Sequence, residues 1–184
     1  ANLDGLVNVS INEGGLSLWE NTALTNIDGL ARVTSLARLY VRENTALTNI
    51  DGLVNVTKID DGVLDIIENP VLRNIDGLAN LRSVKYSLSI RSNEALTNLD
   101  GLANLSGVGS DLTIYNNTAL NNLDGLANVT SVGGYLDIHT NPALTNIDGL
   151  VNLTKVGDYL SIRKTGITNL DGLANVTSVG GDLI

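Results

Sequence analysis

Cysteine, methionine and phenylalanine are all absent from the 184 residues of this sequence. Without cysteine the chain has no disulfide framework and no thiolate metal site, a composition found both inside and outside cells. Hydrophobic residues still make up 43% of the chain, and nearly all of them are Leu, Ile, Val and Ala. We therefore expect a narrow, uniform core built from aliphatic layers.

Positive charge is also scarce, since the sequence has 11 Lys and Arg residues and 20 Asp and Glu residues, for a formal net charge of −9. Affinity for nucleic acids and for anionic lipids depends on clustered Lys and Arg. This balance argues against nucleic acid or an anionic membrane surface as the main partner. No apolar run approaches the roughly 18 residues that a membrane span needs, so we predict no membrane insertion within this segment.

One phrase dominates what is present: an Asp-Gly-Leu triplet recurs eight times, at intervals of 23 to 25 residues. Its aspartates are Asp4, Asp28, Asp51, Asp76, Asp100, Asp124, Asp148 and Asp171. A fixed period of this length is the signature of a solenoid. We expect residues 1–184 to form a single repeat solenoid, a fragment of a longer array with both ends uncapped.

The spacing of apolar residues within one unit predicts strands and tight turns. Leu16 and Leu18 alternate as in a β-strand, and from Leu24 onward an apolar residue follows at about every third position. A spacing of three fits a chain that bends inward at each step of a coil. Paired glycines such as Gly133-Gly134 precede the strand, where we expect positive φ. No 3.6-residue period persists, so we predict negligible α-helix.

Two kinds of segment carry a family resemblance. "LSLWENTAL" and "LTIYNNTAL" match the leucine-rich-repeat pattern L-x-L-x-x-N, and the continuations "LTNIDGLARVTSL" and "LNNLDGLANVTSVGG" resemble the receptor L-domain variety. The resemblance covers all the units and implies an all-β fold, a right-handed parallel β-solenoid (β-helix) of about eight coils. It implies no ligand, because one fold serves many functions. Receptor L domains also carry cysteine-bonded ends and irregular loops, which this chain lacks.

Two polar columns are predicted to be structural. The asparagines of the L-x-x-N pattern would form an inward ladder that satisfies buried backbone groups; they are Asn21, Asn44, Asn69, Asn93, Asn117 and Asn141. The corner aspartates would accept hydrogen bonds from backbone N–H groups of their own turns. These are Asp28, Asp51, Asp76, Asp100, Asp124, Asp148 and Asp171. The alternative for these carboxylates is a file of calcium ions, and no other cofactor is expected.

Glycosylation triplets start at Asn8, Asn55, Asn104, Asn116, Asn128, Asn152 and Asn175. Four of them stand on consecutive coils, where glycans would collide. We interpret the triplets as part of the repeat consensus "ANVTSV" rather than as occupied sites.

Variation between units is concentrated on the outer side of the predicted strand. In each unit, the aromatic residues lie within three positions of the first leucine of the predicted strand, and several arginines lie there too. Trp, Tyr and Arg dominate interface hot spots, although Tyr and Trp also favour exposed strand positions on propensity alone. The binding-face candidates are Trp19, Tyr40, Arg42, Ile67, Arg91, Tyr115, Tyr135, His139, Tyr159 and Arg163. His139, the one histidine, lacks partners at ligand spacing and predicts no metal site.

The predicted function is non-catalytic, because the near-constant period leaves no loop long enough to wall off a pocket. We expect an extracellular or cell-surface module for adhesion, recognising a protein or a glycan through the variable strand face. A self-assembling surface filament or layer, in which the partners are copies of the chain itself, is the alternative. Ice binding by a threonine column is a weaker alternative, because Arg73 and Asn121 interrupt that column.

Overall fold

The computed structural model describes residues 1–11 and 13–184, and these residues form successive coils of one parallel β-solenoid. Thirteen short strands belong to it. In chain order they are β1 (Leu16–Trp19), β2 (Leu39–Arg42), β3 (Lys58–Ile59), β4 (Leu64–Ile67), β5 (Ser83–Val84), β6 (Leu88–Arg91), β7 (Gly107–Val108), β8 (Leu112–Tyr115), β9 (Ser131–Val132), β10 (Leu136–Asn141), β11 (Lys155–Val156), β12 (Leu160–Thr165) and β13 (Ser178–Val179).

These strands form two parallel sheets on different sides of the coil. The larger sheet has seven strands in the order β1-β2-β4-β6-β8-β10-β12, and the smaller has six two-residue strands in the order β13-β11-β9-β7-β5-β3. Register is constant in the larger sheet, where the first leucine of each strand pairs with the first leucine of the next, as Leu88 pairs with Leu112. The prediction of a parallel β-solenoid of about eight coils is confirmed.

Each coil turns through a 3₁₀ segment formed by the Asp-Gly-Leu triplet. These segments are Asp4–Leu6, Asp28–Leu30, Asp51–Leu53, Asp76–Leu78, Asp100–Leu102, Asp124–Leu126, Asp148–Leu150 and Asp171–Leu173. Three-residue turns are the longest helical elements in residues 1–11 and 13–184, in agreement with the prediction of negligible α-helix. Across these same ranges, no helix is long and apolar enough to cross a membrane.

The core is a continuous file of Leu, Ile and Val side chains. In a central coil, Leu99, Leu102, Leu105, Leu112 and Ile114 are all completely buried. The three-residue spacing arises because the chain bends inward at every step between the strand and the 3₁₀ turn. Uniform aliphatic layers suit this geometry, since each layer must fit against a nearly identical layer above and below.

The glycine of the triplet is required by the distance between coils. A Cβ atom added to Gly101 would lie 1.9 Å from the carbonyl oxygen of Ile75 in the preceding coil, and the same clash recurs at Gly52 with Ile27. This backbone contact excludes any side chain. The glycine therefore marks a place where the backbones of successive coils are in contact.

The prediction of positive φ at the paired glycines is wrong, because no glycine in the described ranges has a positive φ. Gly133 and Gly134 are instead confined by neighbouring atoms, since a Cβ on either would lie 2.1 Å from an atom of the preceding coil. Positive φ falls four residues after the first leucine of each strand of the larger sheet; this residue directly follows β1, β2, β4, β6 and β8 and lies inside β10 and β12. For β1 and β2 these residues are Glu20 (φ 56°) and Glu43 (φ 58°). The chain uses this left-handed residue to turn the following asparagine inward.

We predict that Gly101→Ala lowers the free energy of unfolding by about 3 kcal/mol, because the new methyl group forces two backbones apart. Gly5→Ala is the matched control. Gly5 occupies the same place in the first triplet, but an added Cβ there meets nothing within 4 Å. Urea unfolding followed by circular dichroism measures both variants. Equal stability of the two would contradict the close-approach account.

Candidate functional site

The outward side chains of the seven-stranded sheet form the surface that we call the strand face. It consists of the second and fourth residue of each strand, such as Ser89 and Arg91 in β6, while Leu88 and Ile90 point into the core. Parallel pairing places equivalent residues side by side at about 4.8 Å. Variable side chains therefore stand in straight columns along the solenoid.

At its first coils the strand face carries a cluster of aromatic and charged groups. The Arg42 guanidinium lies 4.7 Å from the centre of the Tyr40 ring and 5.8 Å from that of Trp19. It also forms an ion pair with Asp65 in the next coil. Trp19 Nε1 donates a hydrogen bond to Glu43 Oε1 at 2.8 Å, yet 53% of the tryptophan remains exposed. Trp19 is thus fixed in place and still available for contact.

Ile67, a predicted contact residue, is only 4% exposed. Its register partners on the two sides are Arg42 and Arg91, so it lies beneath long side chains in the same column. Asp65 is likewise buried, at 7% exposure. The prediction of Ile67 as part of an exposed binding face is wrong, and its role is to support the column from within.

Further along, planar groups stack in one column. The Arg91 guanidinium lies 5.7 Å from the centre of the Tyr115 ring, and Arg91 Nη1 donates to the Tyr115 hydroxyl at 2.9 Å. Tyr115 in turn stacks on His139, with ring centres 4.5 Å apart and an angle of 9° between the planes. Arg163 follows as the register partner of His139. We call Arg91, Tyr115, His139 and Arg163 the stacked column.

Asp137 holds the last part of the stacked column in place. Its Oδ2 atom lies 3.4 Å from Arg163 Nη2 and 3.6 Å from His139 Nε2, and the residue is only 8% exposed. Partial burial lowers the pKa of His139 below its ordinary value, and the cations Arg163 and Lys164 lower it further while Asp137 opposes them. His139 is therefore neutral at pH 7, and Asp137 has one full cationic partner, Arg163.

Tyr135 and Tyr159 lie beside the strand face, each directly before the first leucine of its strand. Their rings stack on each other with centres 4.7 Å apart and an interplanar angle of 5°. Partial burial, with the nearby carboxylate of Asp137 as the next cause, raises the pKa of the Tyr159 phenol above its ordinary value. Stacked in this way, each ring has one face covered by the other.

A shallow acidic groove runs beside the first four strands of the larger sheet. Its volume is about 520 Å³, and its lining includes Glu20, Glu43, Glu68 and Glu94 but no Lys or Arg. Three of these glutamates are the left-handed residues that leave β1, β2 and β4. The groove was not predicted from the sequence, although the "EN" pairs after β1, β2 and β4 and the "NE" pair after β6 were a visible signal.

The inward asparagines form a hydrogen-bonded ladder in the described coils. Asn93 Nδ2 donates to Ile66 O at 2.9 Å and to Arg91 O at 3.1 Å, and Asn93 Oδ1 accepts the backbone N–H of Asn69 at 3.1 Å. Equivalent bonds recur at the other fully buried members of the ladder, Asn44, Asn69, Asn117 and Asn141. Asn21, at the first coil, is exposed.

We predict that Asn93→Ala lowers the free energy of unfolding by about 3 kcal/mol, because it leaves several buried backbone groups without partners. Asn21→Ala is the control, since Asn21 lies at the exposed end of the ladder and should lose less than about 1 kcal/mol. Thermal unfolding of both variants by calorimetry gives the comparison. Similar losses at the two positions would count against an internal ladder.

The prediction for the corner aspartates is wrong in its assignment of the acceptor. The N–H of Asp100 donates to Oδ1 of Asn98 at 3.1 Å, and the N–H of Asp124 donates to Oδ1 of Asn122 at 3.0 Å. The Asn two residues earlier therefore makes the turn. Within residues 1–11 and 13–184, none of the seven predicted carboxylates accepts a bond from its own corner. They are exposed instead; the seven are Asp28, Asp51, Asp76, Asp100, Asp124, Asp148 and Asp171.

These carboxylates form a row along the solenoid, and they influence one another. The pKa of Asp51 is raised above its ordinary value, first by partial burial and then by repulsion from Asp28 and Asp76. In the part of the chain that the structure describes, no group of three or more His, Cys, Asp or Glu side chains is placed to hold a metal ion. The calcium alternative therefore gains no support from the geometry.

We predict that Asp51→Asn raises the melting temperature at pH 7. A raised folded-state pKa means that the folded protein binds protons more readily than the unfolded chain, so this aspartate lowers stability as the pH rises through and above about 4. The gain should vanish at about pH 2, where both states are protonated.

Asp171→Asn, at the end of the row with one neighbouring carboxylate, should give a smaller gain. Calorimetry across this pH range measures both variants. A loss of stability in Asp51→Asn at pH 7 would show that the carboxylate has an attractive partner.

The asparagines of the glycosylation triplets make a second ladder on the outside of the coil. Asn104 Nδ2 donates to Ala79 O at 2.7 Å, and Asn128 Nδ2 donates to Ala103 O at 2.7 Å. Asn80, which begins no triplet, makes the same bond to Val54 O at 2.8 Å. Bonding between coils thus explains the asparagine at this position without any glycan.

The threonine column considered for ice binding uses hydroxyl groups for coil contacts. Thr25 Oγ1 donates to Ala1 O at 2.9 Å, and Thr48 Oγ1 donates to Thr25 O at 3.2 Å. Arg73 and Asn121 interrupt the column. The hydroxyl protons of these threonines are therefore directed along the solenoid and away from a flat outer plane.

Comparison with known proteins gives a likeness in fold to solved structures. No protein-family model matches the chain, and none of the curated proteins matches it in sequence. Among solved structures, internalin C2 from Listeria monocytogenes is similar, with a TM-score of 0.62 and 25% sequence identity over 93% of this chain and 73% of that one. Internalin C2 is a leucine-rich-repeat protein. The chain is thus a leucine-rich-repeat-like solenoid, and the narrower resemblance to receptor L domains stays a prediction.

Proposed function

We propose that this chain is a non-catalytic module that binds a partner protein through the strand face. One observation carries the proposal. The outward side of one sheet carries Trp19, two tyrosines, the histidine and three of the seven arginines, while the Gly, Asn and Thr columns on the other sides are engaged in contacts between coils. A variable surface on a constant scaffold is how repeat proteins recognise their partners.

The dimensions and chemistry of the strand face favour a protein surface. Seven strands at about 4.8 Å give a continuous surface about 30 Å long, which is about the diameter of a small domain. Trp19 is half exposed and held by Glu43, so it loses little conformational entropy when it contacts a partner. Residues of this kind are typical interface hot spots.

A glycan partner is less well matched by the geometry. Sugars pack on open aromatic ring faces, whereas Tyr135 and Tyr159 stack on each other and Tyr115 stacks on His139. Trp19 is then the one aromatic side chain of the strand face that is more than half exposed. The likeness to internalin C2, also a leucine-rich-repeat protein, is in line with protein binding. We assign the module to the cell surface or the extracellular space, as the resemblance to receptor domains implies.

The proposed function is tested by retention of the fluorescently labelled protein on cells, measured by flow cytometry. We expect Trp19→Ala combined with Tyr115→Ala to reduce retention at least tenfold, since two hot-spot contacts are lost. Arg73→Ala combined with Arg82→Ala is the matched control, because both arginines are exposed and lie outside the strand face. Circular dichroism confirms that each variant is folded. Unchanged retention of the Trp19 and Tyr115 variant would refute the proposal.

A further inference from the structure

The larger sheet differs in charge between its two ends: glutamates line the groove beside β1, β2 and β4, whereas cations outnumber carboxylates in β6, β8, β10 and β12. Strands β6, β8, β10 and β12 contain the cations Arg91, Arg163 and Lys164 and a single carboxylate, Asp137. Asp137 is only 8% exposed and is paired with Arg163, so Arg91 and Lys164 account for the excess positive charge. Ser92 and Asn116, which leave β6 and β8, and Thr140 within β10 are uncharged. In a protein of net charge −9, this region is an island of positive charge.

Arg91 differs from the other arginines of the strand face in having no carboxylate. Arg42 is paired with Asp65, and Arg163 is paired with Asp137. Within residues 1–11 and 13–184, Arg91 forms no ion pair; its hydrogen-bond partner is the Tyr115 hydroxyl, and its Nε atom has none. A guanidinium recognises a carboxylate or phosphate through two parallel bonds, and on this surface a partner can supply that acceptor to the Nη atoms of Arg91.

The stacked column is also ordered before any partner arrives. Arg91 packs on Tyr115, Tyr115 stacks on His139, and His139 and Arg163 share Asp137. Side chains held in this way lose little rotamer freedom on binding, which removes a common cost of association. The side chain of Arg163 remains 53% exposed, and Lys164 is exposed beside it.

We infer that the half of the strand face formed by the stacked column and Lys164 binds an acidic segment of the partner protein. Carboxylates of the segment pair with Arg91 at one end and with Arg163 and Lys164 at the other. This inference rests on the proposed function and names the chemistry of the partner at that surface.

The acidic groove beside the first four strands gives the interaction a direction. Its glutamates, Glu20, Glu43, Glu68 and Glu94, repel a negatively charged segment. An acidic partner is therefore guided away from the first coils and toward β8, β10 and β12. Complementary charge of this kind sets orientation and association rate more than total affinity.

The test uses a ten-residue glutamate-rich peptide and a lysine-rich peptide of the same length as probes. Titration of the ¹⁵N-labelled protein, followed by NMR, should show shifts for amides in β6, β8, β10 and β12 with the glutamate peptide. Little change is expected in β1 and β2. Binding should weaken when the salt concentration rises from about 0.05 to 0.5 M, because exposed charges are screened.

Substitution of Arg and Lys by Gln then tests whether the charge of these side chains, rather than their size, determines peptide binding. Arg91→Gln with Lys164→Gln should weaken glutamate-peptide binding at least tenfold, whereas Arg73→Gln with Arg82→Gln should change it less than twofold. The NMR spectrum of each variant shows whether it is folded.

Three results would overturn the inference. The glutamate peptide fails to bind or shifts amides elsewhere; the lysine peptide binds the same strands more tightly; or a heparin fragment does so, which would make the ligand an anionic glycan. The acidic-segment inference and the proposed function fail under different results. If the Trp19 and Tyr115 variant loses cell retention but the glutamate peptide does not bind, only the acidic-segment inference fails. If retention is unchanged, the proposed function fails.

Discussion

Hydrogen bonding between successive coils is the constraint on which the rest of this structure depends. Every strand of the larger sheet pairs in constant register with the next, so each coil must present the same backbone outline to its neighbours. Where the backbones of two coils are in contact, at Gly101 and its equivalents, even one methyl group is excluded. The repeated phrase in the sequence is therefore a consequence of stacking, and it carries no information about a ligand.

Buried polar groups obey the same constraint. Asn93 bonds to atoms of its own coil and of both neighbouring coils, and the outer ladder represented by Asn104 joins each coil to the one before. An amide side chain suits this role because it both donates and accepts. With the interior and three sides used in this way, the strand face is the surface on which side chains can vary without loss of the fold.

Much of this architecture could be predicted from periodicity, because a solenoid repeats its physical requirements at every coil. The strand, the three-residue spacing and the inward asparagine are readable from one unit. Positive φ was less readable: it falls on Glu20, Thr140 and Lys164, which share no residue type. The hydrogen-bond acceptor of the Asp-Gly-Leu turn was misassigned for a related reason. Every such turn has an Asn and, two residues later, an Asp, as Asn98 and Asp100 show, and the sequence alone does not tell which side chain accepts the bond.

Side-chain contacts on the strand face could not be predicted from the sequence, for a different reason. Its columns follow from register, but contacts between side chains of neighbouring coils depend on how long residues lie across the sheet. Ile67 is buried because it stands between Arg42 and Arg91, and Tyr115 is covered because His139 follows it by one coil. These pairings join residues about 24 positions apart, and single-coil reasoning does not resolve them.

The most direct test is a saturation mutagenesis scan of the whole chain displayed on yeast, read out separately for folded display and for binding to cells. The account predicts that substitutions in the Gly and Asn columns reduce display. Substitutions that preserve display but abolish binding should map to the outward residues of the seven-stranded sheet. Binding-specific positions concentrated on the Asp-Gly-Leu turns, or scattered around the coil, would contradict it.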